Sequence, residues 1–281
     1  MTDKYAVFGN PIKHSKSPEI HRAFAVQTVQ AMDYSRQLVD IDDFTAAADS
    51  FFQAGGKGLN ITAPFKQDAY SYGSRISARA RRAGAVNTLA MQDDGTVTGD
   101  TTDGIGLVTD IKDNLGWHIR AKRVLILGAG GAVRGILEPL LDEQPQHVVI
   151  ANRTVEKALQ LSKGFAELGY IIGCGMDTLD GQEFDLIING TSASLQGAMP
   201  PLPDSLLAPS SETAKTACYD MMYSAAPTPF MSWARQRGAR ASDGLGMLVE
   251  QAAESFALWR GIRPETQHVL DALRFNLVAE A

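Results

Sequence analysis

The run Val124-Leu-Ile-Leu127-Gly128-Ala129-Gly130-Gly131-Ala132-Val-Arg134 constrains the fold more than any other stretch of this 281-residue chain. Its apolar part is long enough for a buried strand and too short for a helix. A strand that turns through glycine into a helix predicts a βαβ unit, and hence a parallel sheet covered by helices. Gly128 permits the tight turn. Gly130 lets a ligand's pyrophosphate approach the backbone, and the helix that opens at Gly131 and Ala132 offers N–H groups and partial positive charge to hold it. The third glycine position of G-x-G-x-x-G is filled by Val133. A glycine loop alone is weak evidence, and its place between this strand and this helix is what counts.

The next strand runs into Asn152-Arg153-Thr154-Val-Glu-Lys157. An enzyme selective for NAD carries Asp or Glu here to hold the ribose 2′-hydroxyl. Two cations and a hydroxyl, with no carboxylate at the strand end, suit a 2′-phosphate instead, so the expected cofactor is NADP. The competing reading is a helix capped by Thr154 with solvated cations.

The length predicts two domains or one large one. Hydrophobic content of 44% and charged content of 21% are those of a soluble globular protein. A net charge of −6 opposes nucleic-acid binding, and the basic tract Arg75-Ile-Ser-Ala-Arg79-Ala-Arg81-Arg82 is expected on one solvated helix face. Cys174 and Cys218 form no CxxC pair and no zinc set, so no metal is expected. No apolar run approaches a membrane span and no signal-like segment opens the chain, which leads to the expectation of a reduced, cytoplasmic setting.

The first hundred residues alternate strand and helix. Strands are expected at Tyr5–Phe8, Tyr34–Val39, 57–61 and Val86–Met91, the last turned at Asp94-Gly95. Helices are expected from Ser17 to about Met32, over Asp43–Ala54, near 65–72 and near 77–83. Ser17 is the cap candidate of the first, with Pro18 at its first position. A connecting helix at Asp103–Asn114 precedes a second series. Its strands are Arg123–Leu127, Val148–Ala151, Tyr170–Gly173, Asp185–Asn189 and 216–220. Its helices run from Gly131 and over 154–168, and Pro139 should kink the first. Thr191–Ser211 is a Pro/Ser-rich loop, and helices near 244–260 and 264–278 close the chain.

Polar side chains gather at element ends. In Gly58-Leu-Asn60-Ile-Thr62-Ala-Pro64-Phe-Lys66, Pro64 cannot continue the strand and fits the first turn of a helix, so Asn60, Thr62 and Lys66 stand where α/β sheets bind ligands. Further clusters are Gly9-Asn-Pro11-Ile-Lys-His14-Ser15-Lys-Ser17-Pro18, Ala83-Gly84-Ala85-Val86-Asn87-Thr88, Gly99-Asp-Thr101-Thr102-Asp103-Gly104 and Asp243-Gly244-Leu-Gly246-Met247-Leu-Val-Glu250-Gln251. Each alone reads as a turn or cap. Together they offer hydroxyls, amides, an amine and a carboxylate to a small hydroxyl-rich substrate.

With Asn189-Gly-Thr-Ser192 and Tyr219-Asp-Met-Met-Tyr223 added, the chain resembles the AroE-type shikimate dehydrogenase family over nearly its whole length. The resemblance implies an α/β fold of two domains: an N-terminal substrate and catalytic domain (1–103, rejoined by the C-terminal helices in 244–281) and a Rossmann NADP-binding domain (104–243). It implies reversible reduction of 3-dehydroshikimate to shikimate by NADPH, in a monomer or homodimer with no nucleic-acid or membrane partner. Lys66 then matches the catalytic lysine and Asp103 its partner. Ser15 and Ser17 match the hydroxyls that hold the substrate carboxylate, and Asn60, Thr62, Asn87, Tyr223 and Gln251 match substrate-contacting positions. Gly128 to Ala132 and Asn152 to Lys157 match the cofactor loops, while Met221 and Gly244 match positions where backbone nears the nicotinamide. Thr101 stands where the family reads Asn, so an amide contact is lost there. A quinate/shikimate paralogue with shifted substrate or cofactor, and a protein that senses NADP without turnover, remain the alternatives.

Overall fold

The computed structural model describes residues 2–191, 193, 197–208 and 215–279. Ser192 and part of the Pro/Ser-rich loop, including Pro209, lie outside the described residues. Contacts divide the chain into two units, Met1–Gly106 with Val249–Val269, and Leu107–Leu248 with Leu270–Ala281.

The first unit alternates β1 (Asp3–Gly9), α1 (Ser17–Gln27), β2 (Met32–Leu38), α2 (Phe44–Gln53), β3 (Gly56–Ile61), α3 (Lys66–Tyr72), β4 (Arg75–Ile76), α4 (Ala78–Ala83), β5 (Thr88–Met91) and β6 (Val97–Asp100). They form one six-stranded sheet in the order β2-β1-β3-β5-β6-β4. Strand β5 runs antiparallel to both neighbours and the other pairs are parallel. Strand side chains alternate between faces. Ala6 and Phe8 therefore pack with Phe44, Leu59, Phe65 and Leu89 on one face, and Tyr5 and Val7 with Ile12 and Tyr34 on the other. A strand covered on both faces reads as a continuous apolar run, as Tyr5–Phe8 does.

The chain leaves through α5 (Asp103–Thr109), which widens into a π-helical turn at Asp110–Asn114. The second unit contains β7 (Arg123–Leu127), α6 (Gly131–Asp142), β8 (His147–Ala151), α7 (Val155–Phe165), β9 (Ile171–Cys174), β10 (Leu186–Asn189), β11 (Ala217–Asp220), α8 (Pro229–Gln236) and β12 (Arg240–Asp243). The sheet is parallel throughout, in the order β12-β11-β10-β7-β8-β9. Val124, Ile126, Val148 and Ile150 pack against Val133, Ile136 and Leu140 of α6, while Leu125, Leu127 and Val149 face Phe230 and Trp233 of α8. Helices α9 (Leu245–Arg260) and α10 (Gln267–Ala279) end the chain.

Several local expectations are corrected. Helix α1 takes Ser17 as its first residue, and Lys16 occupies the cap position. The Ser15 hydroxyl, not that of Ser17, accepts the Ser17 N–H, at 3.3 Å. The helix stops at Gln27 because the chain reverses through Val29 at φ 54°. Pro64 follows a cis peptide bond and precedes α3 rather than entering its first turn. Pro139 lies inside α6, which continues to Asp142. Arg75 lies on β4 and pairs with Asp94 at 2.5 Å while staying exposed, and Arg79 on α4 pairs with Asp100 and Glu254, so the basic tract is divided between a strand and a helix rather than forming one helix face. Within 244–281, Val249–Val269 group by contacts with the first unit and the last residues with the second, where Arg274 pairs with Asp243.

Candidate active site

In the first unit, β3 ends at Ile61 and α3 begins at Lys66, so Lys66 projects from a strand-to-helix corner. Its Nζ lies 2.5 Å from Asp103 Oδ2 at the start of α5, with the two side chains 30% and 10% exposed. The pair is sheltered and still reachable. Asn87 holds the other oxygen: its Nδ2 donates to Asp103 Oδ1 and to Gln251 Oε1, both at 2.9 Å. An amide nitrogen has two hydrogens. The Thr102 hydroxyl, also 2.9 Å from Nδ2, is satisfied by donating to Asn87 Oδ1. Sequence positions 66, 87, 103 and 251 are thus brought into one network. Thr101 is buried beside it, its N–H donating to Asp100 Oδ1, and the two residues that follow it still reach Asn87.

A second polar chain runs from the other predicted residues. Ser15 Oγ donates to Ser17 Oγ at 3.2 Å, Ser17 bonds the Tyr34 hydroxyl, and Tyr34 donates to Asn60 Oδ1 at 2.7 Å. His21 Nε2 also meets Asn60 Oδ1, at 3.0 Å, so Nε2 carries the proton. Asn60 Nδ2 in turn donates to Ser255 Oγ at 3.0 Å, with Thr88 Oγ1 at 3.3 Å. Every hydrogen-bonding position of the Asn60 amide is engaged within the protein. Thr62 is half-buried just past β3, its N–H on Phe8 O at 2.9 Å.

His21 is fully buried, and loss of solvent pushes its imidazole down to about 3. Its ring stacks on Tyr34 with centroids 4.3 Å apart, and burial holds the Tyr34 phenol well above its ordinary range. Tyr34, His21 and Ser255 were not among the expected site residues. The available signal was helical spacing: His21 stands four residues after Ser17, and Ser255 four after Gln251.

In the second unit the glycine loop has the expected turn. Gly128 has φ +103°, and a Cβ there would sit 3.3 Å from the Gly190 backbone. A Cβ on Gly130 or Gly131 would meet nothing within 4 Å, so the space beside these glycines is open. The first helical bond of α6 runs from Arg134 N–H to Gly130 O, leaving the N–H groups of Gly131, Ala132 and Val133 without intrahelical acceptors. Ala129 is half-buried below them. At the end of β8, Asn152 Nδ2 donates to Thr154 O at 2.8 Å, and Arg153, Thr154 and Lys157 are exposed. Thr154 stands at the cap position of α7 without a side-chain cap bond. Open space beside two glycines, free helix N–H groups and two exposed cations suit a dinucleotide with a 2′-phosphate. Met221 follows β11, and a Cβ on Gly244 would overlap the Met221 carbonyl. Tyr223 is half-buried in the same loop. Among the described residues no cluster of His, Cys, Asp or Glu could hold a metal ion, and no helix is long and apolar enough to cross a membrane.

The chain matches known families along most of its length. Residues 7–89 match the shikimate dehydrogenase substrate binding domain, 110–196 the shikimate/quinate 5-dehydrogenase family, and 244–274 the shikimate 5′-dehydrogenase C-terminal domain. A Cellvibrio japonicus relative named shikimate dehydrogenase (NADP(+)) is 60% identical over 278 residues, covering 99% of each chain. Among solved structures, an Ael1 enzyme from Pseudomonas putida superposes with a TM-score of 0.90 at 45% identity, over 97% of this chain and 98% of that one. The Thermus thermophilus shikimate 5-dehydrogenase in complex with NADP(H) and shikimate gives 0.86 at 29% identity, over 98% and 100%.

Proposed function

The chain belongs to the shikimate dehydrogenase family, and from that premise we propose how its own residues carry the reaction. It is an NADP-dependent oxidoreductase that interconverts 3-dehydroshikimate and shikimate, on the route to the aromatic amino acids. The observation that carries the residue assignment is the Lys66–Asp103 pair at 2.5 Å, buttressed by Asn87. When bound, NADPH supplies the hydride. Negative charge then develops on the substrate carbonyl oxygen, and Lys66 donates a proton to it; in the oxidative direction the amine accepts the alcohol proton. Asp103 orients Lys66 through Oδ2 and is itself fixed through Oδ1.

Ser15 and Ser17 take the substrate carboxylate, Thr62 and Gln251 contact its hydroxyls, and Asn60 and Asn87, whose amides are engaged within the protein, shape the floor. Substrate binding and catalysis thus fall chiefly to the first unit. Gly128 to Ala132 hold the pyrophosphate through α6, Asn152, Arg153, Thr154 and Lys157 take the adenosine end with its 2′-phosphate, and Met221 and Gly244 back the nicotinamide. Cys174 and Cys218 form no disulfide, which suits a reducing setting.

The test is the absorbance of reduced nicotinamide with shikimate or quinate, each against NADP+ and NAD+. Shikimate with NADP+ should be fastest. Equal rates on quinate would shift the substrate assignment toward the paralogue, and cofactor binding with no turnover of either acid would leave a sensor.

A further inference from the structure

Helix α10 ends far along the chain from the glycine loop, yet Arg274 on it reaches the corner where β12 gives way to α9. Its guanidinium pairs with both oxygens of Asp243, one at 2.7 Å, and its Nη1 makes a long contact to Ser224 O at 3.5 Å. The Asp243 side chain is 3% exposed, so this fork neutralises a buried carboxylate. Asp243 Oδ1 also accepts the Leu245 N–H at 3.2 Å, and Gly244 N–H donates to Met222 O at 3.1 Å. From the other side Tyr219 donates to Asp110 Oδ2 at 2.6 Å, and Asp110 lies where a Cβ on Gly246 would be. The loop carrying Met221 and Tyr223 and the corner carrying Gly244 are therefore bound to one another, and the Arg274 side chain touches both.

We infer that Arg274 is a positioning residue for the cofactor's nicotinamide end: through Asp243 and Ser224 it sets the spacing between Gly244 and the Met221 loop. The inference rests on the reading of Met221 and Gly244 as the nicotinamide's backing. A bidentate fork fixes direction as well as charge. Without it the corner keeps its backbone bond to Met222 but loses its outer clamp, and the cost appears as lost preorganisation at one end of the ligand.

Two ligands separate that end from the other. NADPH spans the whole site, whereas adenosine 2′,5′-bisphosphate reaches only the region of Arg153 and Lys157. Both dissociation constants are measured by direct binding, NADPH by its own fluorescence and the bisphosphate by calorimetry. For Arg274→Gln, NADPH binding should weaken by about fivefold or more while the bisphosphate stays within about twofold. Arg274→Lys should recover part of the loss, because it restores charge without the fork. Should Arg274→Gln unfold through its unpaired carboxylate, the double variant Arg274→Gln/Asp243→Asn removes that charge, keeps an oxygen for the Leu245 N–H, and should show the same split. Equal weakening of both ligands, or no change in either with the fold intact, overturns the inference. Gly244→Ala tells the two failures apart. If it weakens NADPH while Arg274→Gln does not, the nicotinamide reading stands and the role of Arg274 falls; if neither touches NADPH, the reading of Gly244 itself is wrong.

Discussion

Lys66, Arg153 and His21 pose three separable questions at the scale of single residues. Removing Lys66 deletes a proton donor used as charge develops, an effect typically worth about 10²–10⁴-fold. Lys66→Ala should therefore lower kcat at least about a hundredfold with a smaller change in the KM for shikimate. Near-normal turnover in a folded variant would show that another group moves the proton. Arg153 is exposed at the end of β8, and a charge-assisted bond to a 2′-phosphate contributes about 1.5–3 kcal/mol. Arg153→Asp should shift the ratio of kcat/KM values from NADP+ toward NAD+; an unchanged ratio would hand that contact to Lys157. His21 concerns stability. Its imidazole is pushed down to about 3 by burial, against an ordinary value near 6.5. Between those values the unfolded chain binds the proton and the folded one does not. Stability from this residue is complete above about 6.5 and is lost as pH falls, by at most about 1.4 kcal/mol per pH unit. His21→Gln retains a donor for Asn60 but cannot titrate. It should start from a lower Tm at neutral pH and fall less steeply on acidification. Parallel Tm–pH curves for the two proteins would place the acid sensitivity elsewhere.

Among the elements, α8 shows how a short helix is fastened. Thr228 is 4% exposed; its hydroxyl accepts the Met231 N–H at 3.2 Å and donates to the buried Asp220 at 2.7 Å. Losing a cap of this kind costs about 1–2 kcal/mol, and the carboxylate left short of a donor adds to it. Thr228→Ala should lower Tm by several degrees while Thr228→Ser restores most of it; a serine variant as unstable as alanine would mean that the methyl packing matters more than the bonds. Element existence was legible from apolar runs and glycine breaks, as in β7 and α6, where a four-residue apolar run met glycine. Boundaries were less legible. Ser17 and Ser15 stand two residues apart with the same hydroxyl, and only the backbone path decides which one reaches an N–H. β4 has only two residues, and β6 (Val-Thr-Gly-Asp) and β12 (Arg-Ala-Ser-Asp) carry no apolar run, so these strands exist because a neighbouring strand offers hydrogen bonds.

On the scale of the whole molecule each unit has its own sheet and apolar clusters, and ligand protection should follow that division. In hydrogen exchange, NADP+ alone should protect 128–134 and 152–157, and shikimate alone 60–66, 87 and 101–103, since each ligand stabilises the segments it contacts. Shikimate protecting the glycine loop and not Lys66 would reverse the assignment of roles. The sequence by itself determined the glycine loop, the missing carboxylate at the end of β8, the alternation of strand and helix and, through its motifs, the family. Those are local signals, in which neighbouring residues share one backbone path and one hydrophobic period. Only the tertiary structure decided that Asn60 has its amide fully engaged by Tyr34, His21, Thr88 and Ser255, that Asn87 divides its hydrogens between Asp103 and Gln251, and that Arg274 clasps Asp243. These partners lie apart in the chain, from 16 residues for Asn87 and Asp103 to 195 for Asn60 and Ser255. Nothing in the local pattern specifies which distant hydroxyl or guanidinium a buried amide or carboxylate will meet. That choice is made when the sheet and helices pack, because a buried polar group left without a partner costs more than the packing around it can give back.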